Sequence, residues 1–280
     1  IMMPGKSGDI ILDEAKRAGI IAEFILLSAL QETPLVVKCL KSGAFNYLVK
    51  PPQKDLLISA IQNAEEHHKL KHSIELFSSD DITVPEEFSK KFFTNDIHTQ
   101  KILGYAAQLS LMDCNILLSG QTGTGKTILA EAIHNYSQRK HNNFIAVNVN
   151  AIPDNLFESE LFGYKKGAFT GAYSDRTGLV KQADRGTLFL DEIGELSVVN
   201  QIKLLKLIEE KKFYPLGSDN LEHSDFRLIT ASNKNLADET SAGRFRKDLY
   251  YRIKSSSITL PPLVKRGRDI IYLAKILLRD

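Results

Sequence analysis

Only two cysteines occur in the 280 residues, Cys39 and Cys114, far apart in the chain. That excludes a disulfide framework, and neither lies at metal-ligand spacing from another candidate ligand. Both read as buried thiols of a reducing compartment. Long apolar runs are missing as well: none approaches the roughly 18–20 residues of a membrane span. No signal sequence opens the chain, so a cytoplasmic location and no membrane partner are expected. A surplus of either charge is missing too: 36 Lys and Arg face 34 Asp and Glu, and a formal net charge of +2 gives no ground for expecting this chain to bind nucleic acid. What is present, 43% hydrophobic and 25% charged residues, suits a globular chain with a real core. The length suits one large domain or two ordinary ones. The chain begins at Ile1 and ends at Asp280 inside the apolar-periodic LAKILLRD, so a fragment of a longer protein is expected.

Strand and helix signals alternate along the chain. EFILLSAL (23–30) and AFNYLV (44–49) read as short buried strands. Between them, Thr33-Pro34 is a helix start and Gly43 a helix end. Apolar residues from Asp55 to about Leu76 recur at helical spacing, as a signalling and dimerisation helix or a plain core-facing one. His67, His68 and His72 lie there without a further ligand at a suitable spacing and read as a solvated face. Residues 77–91, FSSDDITVPEEFSKK, are polar and charged, and read as a connecting segment. Further strands are predicted in LMDCNILLSG (111–120), NFIAVNV (143–149), GTLFLDEI (186–193) and FRLITAS (226–232), with a helix over 127–140. This rhythm implies an α/β fold, a mostly parallel sheet with helices on both faces.

The most specific chemistry is GQTGTGKT, which comprises Gly120, Gln121, Thr122, Gly123, Thr124, Gly125, Lys126 and Thr127. It satisfies G-x-x-x-x-G-K-[ST] between a predicted strand and helix. Backbone N–H groups of such a turn converge on phosphate oxygens, and the helix N-terminus adds a favourable dipole. Lys126 would pair with the β- and γ-phosphates of a nucleotide, and Thr127 would offer its hydroxyl to Mg²⁺. TLFLDEI then ends an apolar strand in two carboxylates. Asp191 would hold Mg²⁺ through water, and Glu192 would polarise the water that attacks the γ-phosphate. A third stretch, GAFTGA (167–172), raises a question of its own. It sets Phe169 and Thr170 among small residues, where an apolar side chain forgoes roughly 1.5–3 kcal/mol of burial.

From about Phe92 to Asp280 the chain resembles the AAA+ domain of the NtrC-like activators of sigma-54 RNA polymerase. The strings that carry this are GQTGTGKT, VNVNAIPDNLFESELFGYKKGAFTGA, GTLFLDEIGEL, QIKLLKLIEE, FRLITASNKNL, FRKDLYYRI and LPPLVKRGRDI. The resemblance implies a P-loop three-layer sandwich, an ATPase, and contact with sigma-54 through Gly167, Ala168, Phe169, Thr170, Gly171 and Ala172. The burial energy of Phe169 would then be realised only against that partner. It also implies that Asn148 holds the catalytic glutamate, that Ser232 and Asn233 form the first sensor, and that Arg246 and Arg252 reach a neighbouring subunit's ATP. A homo-oligomeric ring, hexameric or heptameric, is implied, with a dimer as the inactive form. Gln121 and Thr127 stand where the family commonly has glutamate. Lys165 and Lys166 make the lead-in to GAFTGA more positive than usual.

Residues 1–65 resemble the C-terminal part of a flavodoxin-like response-regulator receiver. That implies switch residues Ser28 and Tyr47, a phosphate-pairing Lys50, a cis Lys50–Pro51 bond, and MMPGKSG (2–8) as the loop after the phosphoacceptor. A remnant of this kind is expected to be poorly stable, with its two strands partly exposed. The layout expected is therefore 1–65 partial receiver, 66–91 helical linker and 92–280 AAA+ ATPase. The helical lid and the enhancer-DNA reader would lie outside the chain, and a sensor histidine kinase would act on the whole protein. Two other readings share these residues. One is a general AAA+ remodelling ATPase with another client, the other a module that binds nucleotide without turnover.

Overall fold

Two compact units make up the chain, Ile1–Asp80 and Asp81–Asp280. The structure is a computed structural model and describes residues 8–18, 20, 22–29, 39, 42–52, 54, 56–58, 60–61, 64 and 84–278. Several expectations fall outside the described residues: the loop up to residue 7, the Thr33-Pro34 helix start, the histidine face at 67, 68 and 72, and the connecting segment over 66–83.

In the first unit, helix α1 (Gly8–Arg17) precedes strand β1 (Ile25–Ser28), which pairs in parallel with β2 (Asn46–Val49). Both expected strands are present but shorter than their apolar runs. α1 was not anticipated. Leu12, Cys39, Ala44 and Tyr47 form the small core, against which Phe24, Leu26 and Val49 pack. Ser28 and Tyr47 are buried, Lys50 is exposed, and the Lys50 N–H donates to the Ser28 carbonyl at 2.7 Å. The Lys50–Pro51 bond is cis. Three of the four β1 residues are only half-buried, as expected for a two-stranded sheet.

The second unit opens with α2 (Glu86–Lys91) and α3 (Ile97–Ser110), followed by β3 (Ile116–Ser119) and α4 (Lys126–Asn135). Then come β4 (Phe144–Asn148), α5 (Phe157–Phe162), the hairpin β5 (Gly163–Tyr164) with β6 (Arg176–Thr177), and α6 (Leu179–Gln182). β7 (Thr187–Asp191) leads to α7 (Val198–Glu210) and a second hairpin, β8 (Lys212–Phe213) with β9 (Glu222–His223). The unit closes with β10 (Arg227–Ser232), α8 (Leu236–Ser241), α9 (Lys247–Ile253), β11 (Ser256–Thr259) and α10 (Gly267–Leu277).

The main sheet has five strands in the order β11-β3-β10-β7-β4, every pairing parallel. Its three central strands are the near-continuous apolar runs, because a parallel sheet covered on both faces has no solvated side. Alternate residues divide between two cores. Leu117, Val147, Leu188, Leu190 and Leu228 share one core with Phe157 and Leu161 of α5, Leu204 and Leu207 of α7, and Leu249 of α9. The intervening residues face α4, whose His134 Nδ1 lies 2.9 Å from Thr187 Oγ1. The unit is thus three layers. β11 escaped the sequence reading because its four residues, SSIT, carry three hydroxyls and no apolar run.

Residues 86–91 are not a connecting segment. They form α2, which packs against α4 with Phe88 fully buried. The Phe88 ring meets Tyr136 edge-on at 5.7 Å, and Lys91 pairs with Glu131. One aromatic in a polar stretch was the only sequence sign of this. Replacing it, Phe88→Ala, is expected to destabilise the second unit by about 3–5 kcal/mol, the usual range for a buried phenylalanine. Urea unfolding of that unit measures this, and an unchanged midpoint would mean that α2 is not part of its core.

Candidate nucleotide-binding site

All parallel strands of the sheet end on the same edge, and the chemistry suspected from sequence gathers there. The turn Gly120–Gly125 leaves β3 and enters α4, with Gly125 as N-cap at φ 96°, a left-handed backbone that favours glycine. The turn is closed by its own groups. Thr124 Oγ1 donates to the Gln121 carbonyl at 2.8 Å. Lys126 Nζ, largely buried, donates to the carbonyls of Gly120 at 2.9 Å and Gln121 at 3.1 Å. This places an ammonium across the mouth of a ring of peptide groups at a helix N-terminus, an arrangement suited to an anion.

Thr127 Oγ1 donates to Asp191 Oδ2 at 3.3 Å, which links the first turn of α4 to the end of β7. The next residue, Glu192, has φ 57° and ψ 40°. A left-handed backbone costs a non-glycine residue roughly 1–2 kcal/mol, and such strain tends to gather at functional sites. The Glu192 N–H is held by Asp191 Oδ1 at 2.9 Å, so the first carboxylate fixes the turn that carries the second.

Asn148 stands beside Asp191 in the β4–β7 register. Its Oδ1 accepts from the Asn150 N–H at 3.0 Å, capping the turn that follows β4 rather than bonding Glu192. Ser232 is fully buried; its carbonyl accepts from the Gly120 N–H at 3.2 Å, and its hydroxyl donates to the Lys234 carbonyl at 2.9 Å. Asn233 is exposed and lines a cavity of about 510 Å³ with Gly120, Gln121, Tyr250 and Leu260. Lys126, Thr127, Asp191 and Glu192 do not line it, so this cavity adjoins the phosphate turn without containing its chemistry.

The two suspected arginines sit at the two ends of α9. Arg246 occupies the N-cap position of α9 without capping it through its side chain, and its guanidinium forks onto Asp248 at 2.7 and 3.1 Å. That bond raises the pKa of Arg246. Gln201, fully buried, fixes the same residue by accepting from its N–H at 2.8 Å, a role the sequence did not suggest. Arg252 lies in the last turn of α9, and its buried Nε has no partner. Neither guanidinium hydrogen-bonds the phosphate turn, Asp191 or Glu192.

GAFTGA lies between β5 and β6, closed by Gly167 N–H to Ala172 O at 2.9 Å and Ala172 N–H to Phe169 O at 3.0 Å. Below it, Asp175 accepts from Lys166 N–H and from the Lys165 ammonium, both at 2.9 Å, bonds that hold its carboxyl below the usual range. Thr170 is exposed and Ala172 buried. Phe169 is 40% exposed, its ring edge-on to Tyr164 at 4.9 Å. Part of its burial is therefore found within its own domain, which corrects the expectation that a partner supplies all of it. Tyr173, just past the loop, is 87% exposed and was missed. The β8–β9 hairpin, also missed, braces the loop: Lys165 N–H donates to Leu216 O at 2.9 Å, and a Cβ on Gly217 would sit 2.8 Å from that of Ala168.

Residues 92–259 match the sigma-54 interaction domain. Over 256 residues the chain is 40% identical to the transcriptional regulatory protein GlrR of Escherichia coli K12, covering 91% of this chain and 55% of that one. It is 36% identical over 280 residues to the DNA-binding transcriptional regulator NtrC of the same organism, covering 98% and 57%. The chain belongs to the NtrC-like family of sigma-54 activators. The AAA+ architecture agrees: NtrX from Brucella abortus, crystallised in complex with ATP, superimposes with a TM-score of 0.64 at 25% identity, covering 97% of this chain and 60% of that one. The chain spans 55 to 62% of the length of the curated relatives it matches.

For this NtrC-like chain, the brace on the loop is open to a direct check. Gly217→Val places a side chain against Ala168 at a backbone φ of 71° and is expected to pull the two hairpins apart. Amide exchange at Gly167 and Ala172 should then accelerate by about tenfold or more, since each loses local protection. Unchanged exchange there would show that the loop holds its shape alone.

Proposed function

We propose that this chain is the ATP-hydrolysing core of a sigma-54-dependent transcription activator, governed in the whole protein by a receiver and its sensor kinase. The observation that carries the proposal is the Thr127–Asp191 contact, because it ties the phosphate turn to the strand end that bears Glu192. One chain thereby offers a cradle for a triphosphate, a carboxylate beside it, and a braced loop with Phe169 and Thr170 exposed. NtrX from Brucella abortus was crystallised in complex with ADP and with ATP, which supports nucleotide as the ligand.

In this reading the backbone N–H groups of 120–126 and the Lys126 ammonium bind the phosphates. Among the described residues no cluster of three metal-ligating side chains exists. A hydroxyl and a carboxylate 3.3 Å apart nevertheless fit Mg²⁺, which takes one or two protein oxygens and fills its shell with phosphate and water. Thr127 and Asp191 would hold it, and when bound it neutralises charge developing on the phosphate oxygens. Glu192 takes the proton of the attacking water as its oxygen bonds to the γ-phosphorus and ADP leaves. Arg246 and Arg252 act on a neighbouring subunit in a homo-oligomeric ring; that neither guanidinium bonds its own chain's phosphate turn leaves both free for supply in trans. Asn148, beside Asp191, links the state of the nucleotide to the domain that carries the loop. Sigma-54 is the partner of that loop.

Glu192→Gln keeps the shape of the side chain but removes its charge and the base. ATP should still bind, while phosphate release falls by about 10²–10⁴-fold; retained turnover would remove Glu192 from the reaction. Phe169→Ser, placed in a version spanning the full length of the relatives, separates sigma-54 activation from a general remodelling ATPase. Hydrolysis should persist while sigma-54 promoter opening is lost. Normal promoter opening in that variant rejects the assignment of the loop to sigma-54.

A further inference from the structure

Arg266 lies at the start of α10, is 3% exposed, and has no assigned part in nucleotide chemistry. Its Nη2 donates to the Thr124 carbonyl at 3.3 Å, inside the phosphate turn. Nη1 lies 3.7 Å from Asp269 Oδ2, and the guanidinium stands over the Phe92 ring at 5.6 Å. The Nε is buried without a partner. Asp269, fully buried, accepts from Thr94 Oγ1 at 2.7 Å, Asn95 N–H at 2.6 Å and Asp96 N–H at 3.1 Å. Asp96 in turn caps α3 by accepting from the Thr99 N–H at 2.8 Å. Phe92 closes the group: a Cβ on Gly125 would come within 2.7 Å of its ring, so the ring lies flush on the turn.

A buried arginine with one buried acid and an unused N–H is a poor source of stability, since desolvation offsets most of the attraction. Its geometry suits another purpose. The peptide between Thr124 and Gly125 is planar and trans, so its C=O and N–H point in opposite directions. Holding the Thr124 carbonyl toward Arg266 aims the Gly125 N–H away from it, and the amides of this turn cradle phosphate only when they face the ligand. We infer that Arg266, steadied by Asp269 and Phe92, is a positioning residue that sets the 124–125 peptide for the α- and β-phosphates of a bound nucleoside triphosphate or diphosphate. Through the same side chain, α10 and the segment 92–96 are coupled to nucleotide. The inference rests on the nucleotide site proposed above.

The test compares the parent chain with Arg266→Met, which keeps the packing on Phe92 but removes every donor, and Arg266→Lys, which keeps the charge but reaches only one partner. Dissociation constants for ATP and ADP are measured by fluorescent-nucleotide titration well below each variant's melting temperature, recorded alongside. Positioning predicts about tenfold weaker binding of both nucleotides in Arg266→Met, the scale of one hydrogen bond to a charged group. Arg266→Lys, the more conservative change, should fall between, folded like the parent yet still weakened. Where Arg266→Met proves too unstable to titrate, Arg266→Lys decides alone. Folded variants that bind both nucleotides within twofold of the parent, with only the melting temperature lowered, reduce Arg266 to a structural role and overturn the inference. A parent chain that binds neither nucleotide overturns the nucleotide site itself, and the inference with it.

Discussion

In a sheet whose strands all run the same way, every strand delivers its C-terminal residue to one edge. The candidate site depends on that constraint. Gly120, Asn148, Asp191 and Ser232 come from different stretches of the chain, yet each ends or follows a strand of the same sheet. Parallel pairing needs crossover connections, and here the crossovers are the helices that bury both faces. The arrangement that brings the polar residues together at the edge is thus also the one that keeps them out of the core. Loops beyond the carboxyl ends of parallel strands are where open α/β sheets place their ligands, for this reason.

Two kinds of rigidity meet at that edge. The phosphate turn is held by its own carbonyls and from behind by Arg266 and Phe92. Glu192 sits in a strained backbone conformation held in place by Asp191. A site assembled from fixed dipoles avoids reorganising them when charge develops, and fixed dipoles are worth more where water is excluded. GAFTGA obeys a different logic. Its tip has few buried contacts, its closure rests on a handful of backbone bonds, and its brace comes from a second short hairpin. Elements of this kind occupy the low-stability end of a protein, where motion is least costly.

The resemblance to NtrC-like activators also frames what the first unit can be. Two parallel strands, α1, helical residues between 54 and 64 and a cluster of four buried apolar residues make a small body of fold among the described residues. The Ser28, Tyr47 and Lys50 region retains local order, with a cis Lys50–Pro51 bond and a backbone link from Lys50 to Ser28. Partial exposure of β1 follows from geometry, since two strands cannot be covered on both faces by so few residues.

Contiguous chemistry was legible in the sequence. The phosphate turn, the carboxylates ending an apolar strand, the apolar runs of the central strands and the small-residue loop each announce themselves within a few residues, because backbone conformation and charge are local properties. What lies between distant stretches was not. Thr127 meets Asp191 across 64 positions, and Arg266 meets Thr124 across 142. Phe88 in a polar stretch, the hydroxyl-rich β11, the hairpin braced on Ala168 and the Gln201 support of Arg246 all take their meaning from partners remote in sequence. Composition and spacing therefore determined which chemical groups the chain carries and the class of fold that could hold them. Only the tertiary structure decided which groups touch, because packing free energy depends on surfaces that meet after the chain has closed its long loops.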